Sequence, residues 1–574
     1  MKNEDIAGVF ERIASLMEIQ GEVVFKIRAY QRAAESLRVL GEDINVVHRE
    51  NRLGDIPGVG AAIAAKIGEL LETGQLEFLQ KLEEEVPPSL LDLLRVPGVG
   101  PKKAALFWKQ AGVTTLEQLS AAAQAGTLRG LPGMGDQSVQ RIMQGLQSLS
   151  QRSDRLLLGT ALRHGQVWLE WLRAQAGVLR AEPAGSLRRM KETVGDLDLV
   201  IAAQDSAPIM QALSGHSEVG RVVGEGKNKT SVELTNGLRI QLWSQPPESF
   251  GALWLYATGS KAHNVRLREL AQKQGLSLSE RGFLAADGSF MPMPAEETVY
   301  QTLGLDWIPP ELREDRGEVE AALEHRLPAL LQTSDLLGEL HSHSNWSDGA
   351  LSIREMALAA RARGLKTLAI TDHSMSLGIA NGLTPERLRA QRAEIRQVQT
   401  ELGDSLLLLQ GAEVEIRADG ALDYPDEVLA ELDLVIASLH SSLRQPREQI
   451  TARLINAIRN PHVDLIGHPS GRLLPDRPGA DLDWEAVFAA AREHGTVLEI
   501  NASTQRLDLD EVRARRAVEL GIPLAINTDA HSPDNFADAA LGAAVARRAW
   551  VTPEWVINTW PAERLTAWLH QRGR

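Results

Sequence analysis

The chain has 574 residues, 43% hydrophobic and 24% charged, with a formal net charge of −15 and no cysteine. Single cores stop growing near about 250–300 residues, so several domains of ordinary globular composition are expected, with disulfides and thiolate metal sites excluded. No apolar stretch approaches the roughly 20 residues that span a bilayer, residues 1–12 lack the apolar centre of a signal peptide, and the acidity sits mainly beyond residue 315, so a cytoplasmic protein without membrane attachment is expected and net charge neither favours nor excludes a polyanionic partner.

From the N-terminus, Ile6, Phe10, Ile13 and Met17 recur at helical spacing, and a second amphipathic helix runs through Phe25–Ala34. Its apolar positions pack a core, whereas Lys26, Arg28 and Arg32 with Tyr30 suit a phosphate. An internal repeat follows: Ile-Pro-Gly-Val-Gly at 56–60, Val-Pro-Gly-Val-Gly at 96–100 and Leu-Pro-Gly-Met-Gly at 131–135. Gly58, Gly98 and Gly133 permit a tight turn. With Gly60, Gly100 and Gly135 they bring backbone N–H groups to the surface at a helix start, an anion site that needs no side chain. The repeats resemble helix-hairpin-helix modules, which grip the DNA backbone without reading sequence. Lys66, one turn into the helix behind the first repeat, is a candidate nucleophilic amine if its apolar neighbours disfavour the ammonium; the plainer reading is a side chain that snorkels.

A helix is expected over 156–175, followed from Ala184 by Ala-Gly-Ser-Leu-Arg-Arg-Met-Lys-Glu-Thr-Val-Gly-Asp-Leu-Asp-Leu-Val. Gly185-Ser186 opening a helix can cradle triphosphate oxygens, and Asp196 and Asp198, two apart in a strand, point to one face, as a two-metal phosphoryl-transfer site requires. With Tyr256-Ala-Thr-Gly-Ser-Lys-Ala-His-Asn and Arg268 behind it, the order of segments resembles the family X DNA polymerases. The resemblance implies that Gly185, Ser186 and Arg189 contact the triphosphate. It assigns the incoming sugar and base to Thr258, Gly259 and Asn264, and the template side to Arg268. Tyr30 and Lys66 match that family's 5′-phosphate pocket and lyase nucleophile, although its second lysine is Ala62 here. A further departure concerns the third catalytic carboxylate, whose matching position is Gln241. An amide carries no charge and cannot take the proton of a 3′-hydroxyl. Asn236-Gly237 reads as a two-residue hairpin turn that pairs Val232 with Gln241 and Glu233 with Ile240, so Glu233 is expected to face away from Gln241. Glu248, beyond Pro246-Pro247, belongs to the next subdomain. Tryptophans 108, 168, 171, 243, 254 and 307 read as core or interface residues.

Residues 309–336 are charged, helical in pattern and read as a connector. Beyond them, seven short apolar runs alternate with amphipathic helices such as Ile353–Arg363, the pattern of parallel βα units. The first ends in Leu-His-Ser-His-Ser-Asn-Trp-Ser-Asp from Leu340; the others are Thr367–Asp372, Leu406–Glu413, Leu434–His440, Val463–His468, Val497–Asn501 and Pro523–Asp529. In a parallel barrel the strand ends converge on one mouth, which gathers His341, His343, Asp348, His373, Glu413, His440, His468, Asp529 and His531. This constellation resembles the PHP (polymerase and histidinol phosphatase) phosphoesterases, a distorted seven-stranded β/α barrel with up to three metals. The resemblance implies one metal on His341, His343, Glu413 and Asp529, a second on Glu413, His440 and His468, and a third on Asp348, His373 and His531, with Asp372 orienting a ligand or handling a proton. Nitrogen and carboxylate donors without thiolate suit zinc or manganese.

The expected architecture is therefore multidomain. It comprises an all-α lyase-like domain with the first helix-hairpin-helix (1–85), helix-hairpin-helix fingers (86–152), an α+β nucleotidyltransferase palm (153–243) and thumb (244–315), a linker (316–335) and a distorted (β/α)7 PHP barrel (336–574). The resemblance to the bacterial family X members implies a monomeric repair enzyme taking gapped, nicked or 3′-ended DNA and deoxynucleoside triphosphates. Magnesium or manganese would serve the palm; manganese or zinc in the barrel would serve 3′–5′ exonuclease and abasic-site cleavage. Two alternatives stand beside it: a scaffold whose inactive polymerase core presents DNA to the barrel, and a barrel acting on a small monoester such as histidinol phosphate.

Overall fold

In a computed structural model the described residues are 3–38, 40, 44–96, 98–152 and 155–571; Pro97 of the second repeat lies outside them. The chain divides at about residue 153 into two compact units. No described helix is long and apolar enough to cross a membrane.

The first unit is helical. Helices Asn3–Gln20 and Val24–Arg38 bury Ile6, Phe10, Ile13 and Met17 in one cluster with Val59, Val99 and Met134. The three repeats fold alike. The N–H groups of Val59, Val99 and Met134 donate to the carbonyls of Ile56, Val96 and Leu131 at 3.0, 2.9 and 3.1 Å, and Gly58, Gly98 and Gly133 have φ of +78°, +88° and +74°. This is a type II turn with glycine where a side chain would be strained. Each turn is pinned from below by its buried Val or Met, and both glycines of each repeat face solvent. Gly60 and Gly100 then open helices Ala61–Thr73 and Pro101–Ala111, and Gly135 immediately precedes Asp136–Arg152.

The second unit begins with a five-stranded sheet of β1 (Arg180–Pro183), β2 (Leu197–Ala202), β3 (Val219–Glu225), β4 (Lys229–Leu234) and β5 (Arg239–Gln245), in the order β1-β2-β5-β4-β3. The pairing of β2 with β5 is parallel and sets Asp198 opposite Gln241. A smaller antiparallel sheet, β6 (Leu276–Ser279), β7 (Gly282–Ala285) and β8 (Phe290–Pro292), follows helices Phe250–Thr258 and Lys261–Lys273.

The segment read as a connector is packed rather than free. Arg313 and Glu318 are fully buried. Arg313 donates to both oxygens of Glu296 at 2.8 and 3.0 Å, Arg188 donates to them at 2.5 and 2.7 Å, and Glu318 bonds His263 at 2.7 Å. Although burial favours the neutral acid, the two guanidiniums hold Glu296 well below the ordinary carboxylate range. A depressed folded pKa contributes stability that is present above the unfolded carboxyl's pKa and is lost as pH falls. Glu296→Gln is therefore expected to cost on the order of 3 kcal/mol at neutral pH and to flatten the acid limb of the thermal stability profile between about pH 5 and 3. Calorimetry across that window checks both; an unchanged acid limb contradicts the assignment.

Seven parallel strands then form the barrel in sequence order: β9 (Gly338–Glu339), β10 (Thr367–Ile370), β11 (Leu407–Glu415), β12 (Leu434–Ser438), β13 (Leu465–Gly467), β14 (Val497–Asn501) and β15 (Leu524–Asn527). A parallel bridge from Ser342 to Ala530 brings the first strand back to the last. Leu340, Leu409, Ile436, Leu465 and Val497 belong to one apolar cluster with Leu565 and Leu569 of the last helix, Ala562–Gln571. The polar groups gather at the strands' C-terminal ends, as parallel barrels arrange them.

Candidate metal centre and nucleotide pocket

A cavity of about 480 Å³ opens on the palm, and its walls include Gly185, Ser186, Arg189, Asp196, Asp198, Thr258, Gly259, Asn264 and Arg268, together with Trp243, Tyr256 and Lys261. Trp243, read as a core or interface residue, lies on this wall because it follows Gln241 by two on β5 and shares its face. Gly185 has φ +57°, and a Cβ there would stand 2.0 Å from Asp198 Oδ2, so only glycine lets the turn pass over the carboxylate. Asn264 is fixed by its Nδ2, which donates to the Tyr256 carbonyl at 2.8 Å. Arg189 donates from Nε to Glu314 at 3.0 Å and from Nη1 to the Thr258 carbonyl. Burial, and then Asp196 alongside, pushes the Asp198 carboxyl up to about 7. A buried carboxyl so disfavoured as an anion, with a second carboxylate alongside, suits a cation, which would remove that cost.

Gln241 does not stand idle beside them: its amide donates to Asp196 Oδ2. The hairpin that presents it differs from expectation. Gly237 N–H bonds the Leu234 carbonyl at 2.9 Å and Leu234 N–H bonds Leu238 at 2.8 Å. The loop thus has three residues, ending in Gly237 at φ +84°, a common alternative to the two-residue turn. Register shifts by one: Ser231 faces Gln241 and Glu233 faces Arg239. Glu233 consequently lies on the same face as Gln241, correcting the sequence reading. It stands one cross-strand pair farther along that face, and its carboxylate is held by Arg221 at 2.9 Å and Arg239 at 3.2 Å. Glu248 is exposed in the short helix Pro247–Ser249. Neither supplies a third carboxylate beside Asp196 and Asp198.

At the barrel mouth nine ligand-type side chains converge. Oε2 of Glu413 lies 3.5 Å from His341 Nε2 and 3.7 Å from His343 Nε2, and Asp529 Oδ1 lies 3.6 and 3.1 Å from the same nitrogens. The other oxygen of Glu413 meets His440 Nε2 at 3.2 Å and His468 Nε2 at 2.8 Å. Asp348 Oδ2 stands 3.5 Å from His373 Nε2 and 3.4 Å from His531 Nε2. Three sets of donor atoms lie within 4.8 Å of one another: His343, Asp348, His373 and His531; His341, His343 and Asp529; and His373, Glu413 and His440. His373 thus reaches toward two sets, and His468 joins through Glu413.

Nε2 of His341 and Nδ1 of His343 are buried with no hydrogen bond among the described residues, while Nδ1 of His373 and Oε2 of Glu413, also buried, face each other at 2.8 Å. Such atoms cost about 1–3 kcal/mol each unless something else binds them. Burial, then the nearby His531 and His373, lowers His343 to about 4, which keeps it in the neutral form that binds metal. The residues present therefore fit divalent cations.

Several supporting groups were not singled out from sequence. Glu499 accepts from His341 Nδ1 at 2.7 Å and from the His468 N–H at 2.6 Å, and Glu415 accepts from His440 Nδ1 at 2.8 Å. These carboxylates fix ring orientation and tautomer. Glu499 is two residues from the end of the run Val497–Asn501, and alternation along the strand was the available signal. Asp372 stands behind the cluster, fully buried, accepting from Ser344 N–H at 2.8 Å and from Ser344 Oγ, Ser347 Oγ and Gln391 Nε2. Its described bonds hold the loop that carries Asp348; none goes to a cluster side chain.

In the helical unit, Tyr30 stacks on Phe78 at 5.8 Å, and Lys66 Nζ lies 4.4 Å from the centre of the same ring. Burial pushes the Tyr30 hydroxyl up to about 12. The ring face offers this side chain a cation–π contact. Lys26 pairs with Glu22 at 2.8 Å.

Comparison with known proteins agrees with these parts. The chain matches a helix-hairpin-helix domain over residues 1–76, a tandem helix-hairpin-helix over 90–148, a DNA polymerase beta thumb over 253–314 and a PHP domain over 339–503. It is 38% identical over 574 residues to the DNA polymerase/3′-5′ exonuclease PolX of Bacillus subtilis, covering 99% of each chain. It is also 34% identical over 236 residues to a probable phosphatase of Thermoanaerobacter sp. (strain X514), 39% of this chain and 91% of that protein. A probable phosphatase of Shewanella sp. (strain ANA-3) matches at 31% over 203 residues, 34% of this chain and 75% of that one.

Proposed function

Because the chain belongs to the family X DNA polymerases that carry a C-terminal PHP domain, we propose a division of labour: the barrel hydrolyses DNA from a 3′ end, and the palm binds nucleotide but extends DNA slowly. The enzyme is a nucleotidyltransferase and a metal-dependent 3′–5′ exonuclease. The observation that carries the hydrolytic half is the buried convergence of imidazole and carboxylate atoms at the barrel mouth, with His341 Nε2 and His343 Nδ1 left without hydrogen bonds among the described residues. Three glycine turns on the same chain, each facing solvent, support a polynucleotide substrate.

In the barrel His341, His343, Glu413 and Asp529 would hold one cation, Glu413, His440 and His468 a second, and Asp348, His373 and His531 a third. Cations there would supply charge to the phosphoryl oxygens and acidify a water. Glu499 and Glu415 keep the ring nitrogens aimed inward, and Asp372 keeps the Asp348 loop in place. The donor set favours manganese or zinc over magnesium. In the palm, Asp196 and Asp198 would hold the metal that accompanies the nucleotide, with Gly185, Ser186 and Arg189 at the triphosphate, Thr258, Gly259 and Asn264 at the sugar and base, and Arg268 toward the template. The reading extends to a monomer acting in the cytoplasm on gapped, nicked or 3′-ended DNA.

Comparing release of nucleotides from a labelled oligonucleotide with release of phosphate from histidinol phosphate tests this reading. The oligonucleotide is expected to be the better substrate by at least about 100-fold in kcat/KM; the reverse order moves the protein to the monoester class of its shorter relatives. Gln241 favours one further reading, in which the core only presents DNA to the barrel. Primer extension by the full chain with the barrel inactivated separates it from the first.

The glycine turns carry their own expectation. Gly58→Val, Gly98→Val or Gly133→Val forces a branched side chain to positive φ and disturbs the N–H groups presented to phosphate. DNA affinity should fall about 3- to 10-fold per site and equally for all sequences, because phosphate contacts carry no base information. Fluorescence anisotropy with two unrelated duplexes checks this, and a loss confined to one of them argues against the turns as phosphate sites.

A further inference from the structure

The barrel mouth also holds a cation outside the ligand set. Arg506 lies on the segment that leaves β14 and returns through a bridge between Asn501 and Asp508. Its Nε stands 3.6 Å from Asp529 Oδ2, and its side chain is 16% exposed. Its Nη1 is buried and has no hydrogen-bond acceptor among the described residues. A guanidinium N–H withheld from water without an acceptor is costly, and at 3.6 Å the Asp529 contact is not a hydrogen bond. The donor therefore awaits an acceptor that the described residues do not provide. Beside a cluster suited to divalent cations, an anionic oxygen meets that need, and the planar fork of arginine matches phosphate. Arg453, buried beside Glu415, spends both terminal nitrogens on the carbonyls of Ile416 and Ser441 and on Gln445, leaving only its Nε without a partner among the described residues.

Arg506 is also held with unusual care. Arg472, four residues after His468, donates from Nε to the Arg506 carbonyl at 2.8 Å and from Nη2 to the Leu507 carbonyl. Leu507 has φ +42°, a conformation that costs a non-glycine residue about 1–3 kcal/mol and persists only where its surroundings impose it. The same Nη2 donates to Glu192 Oε2 at 2.8 Å. Glu192 belongs to the palm, 280 residues away in sequence, on the segment between the Gly185–Arg188 helix and Asp196. A residue of the polymerase portion thus braces the arginine at the hydrolytic mouth.

We propose that Arg506 grips the scissile phosphate of the strand being hydrolysed, and that palm residue Glu192 positions it through Arg472. The proposal rests on the phosphodiester-hydrolysing reading of the barrel. Arg506 pairs with a non-bridging oxygen while water adds to phosphorus and the bond to the 3′-oxygen breaks, that oxygen leaving with the electron pair and taking up a proton from water, and the barrel's site is complete only with the palm in place.

The test uses the full-length protein loaded with manganese and compares the parent with Arg506→Gln, Arg506→Lys and Glu192→Gln. Three quantities are read: kcat and KM for a single-stranded 3′-hydroxyl oligonucleotide, the inhibition constant of inorganic phosphate, and bound manganese per chain. Arg506→Gln should lower kcat/KM by about 10²–10³-fold, the loss typical of one oxyanion donor, and weaken phosphate inhibition by about tenfold or more. Manganese content should stay at the parent's value. Arg506→Lys, keeping the charge without the fork, should recover part of both losses. Glu192→Gln should shift both in the same direction by about 3- to 10-fold. Phosphate inhibition in Arg506→Gln equal to the parent's overturns the clamp, and so does loss of bound manganese, which would make Arg506 a support of the metal site. A Glu192→Gln variant identical to the parent overturns the palm's part. A parent that releases no nucleotide overturns the nuclease reading itself, a result distinct from a hydrolysing parent with an indifferent Arg506→Gln.

Discussion

His341→Ala or Asp529→Ala is expected to lower release of nucleotides from a DNA 3′ end by more than about 10³-fold, several kcal/mol of transition-state stabilisation, while DNA affinity stays within about twofold. Both residues belong to the set His341, His343 and Asp529, whose donor atoms lie within 4.8 Å of one another. Removing either leaves two donors of that trio, and in each case a partner loses its charge balance. His341 is held by Glu499 at 2.7 Å, so its loss also leaves a buried carboxylate without its imidazole. Such losses exceed the roughly 10–100-fold expected when only a supporting partner is changed. The glycine turns proposed to contact DNA sit in the separate helical unit, which is why affinity should survive. The measurements are bound metal per chain, single-turnover cleavage and anisotropy on the same preparations. Parent-rate cleavage by either variant at equal metal content would remove the barrel from the reaction. Activity should also be higher with manganese or zinc than with magnesium, because imidazole donors favour the former pair.

Gln241→Asp is expected to accelerate single-nucleotide gap filling by about 10²–10⁴-fold, the usual worth of general-base assistance, without altering hydrolysis. In the native chain the Gln241 amide donates to Asp196, occupying a carboxylate oxygen that a cation would otherwise use. An aspartate at this position repels Asp196 and Asp198 until cations neutralise all three, so the gain should depend steeply on metal concentration. The glutamine in turn should make the parent more dependent on manganese than on magnesium. Single-turnover insertion at saturating nucleotide, in an Asp529→Ala background so that degradation does not mask synthesis, gives the comparison. An aspartate variant no faster than the parent would locate the palm's deficit elsewhere. A parent already fast would mean that another group, or water, accepts the proton.

The relation of these sites to the sequence differs from residue to residue. The barrel strands were legible because each is a short apolar run and six of the seven carry a ligand-type residue at or beside the end, and a parallel barrel has one place to put such residues. All seven runs became strands of the sheet. The glycine turns were legible for a local reason: positive φ excludes side chains, so a repeated Pro-Gly-x-Gly names its own backbone. Glu499 and Glu415 were not, since a carboxylate inside a strand looks the same in sequence whether it supports a histidine or faces water. The β4–β5 hairpin was misread by one residue because two- and three-residue loops share the Asn-Gly signal. The phase of the pairing depends on which one the flanking strands accept.

Sequence alone thus determined the order of the parts, the barrel class, the ligand-type residues and the presence of an amide where a carboxylate is expected, because each of these is written in local periodicity or in residue chemistry. Tertiary structure decided which atoms lie within reach of one cation, that Gln241 donates to Asp196, that Glu318 and Arg313 are core residues of a packed connector, and that Glu192 reaches Arg472. Those facts depend on side chains brought together across as many as 280 residues. No local propensity encodes such a pairing; it follows from the folded packing of the palm against the barrel.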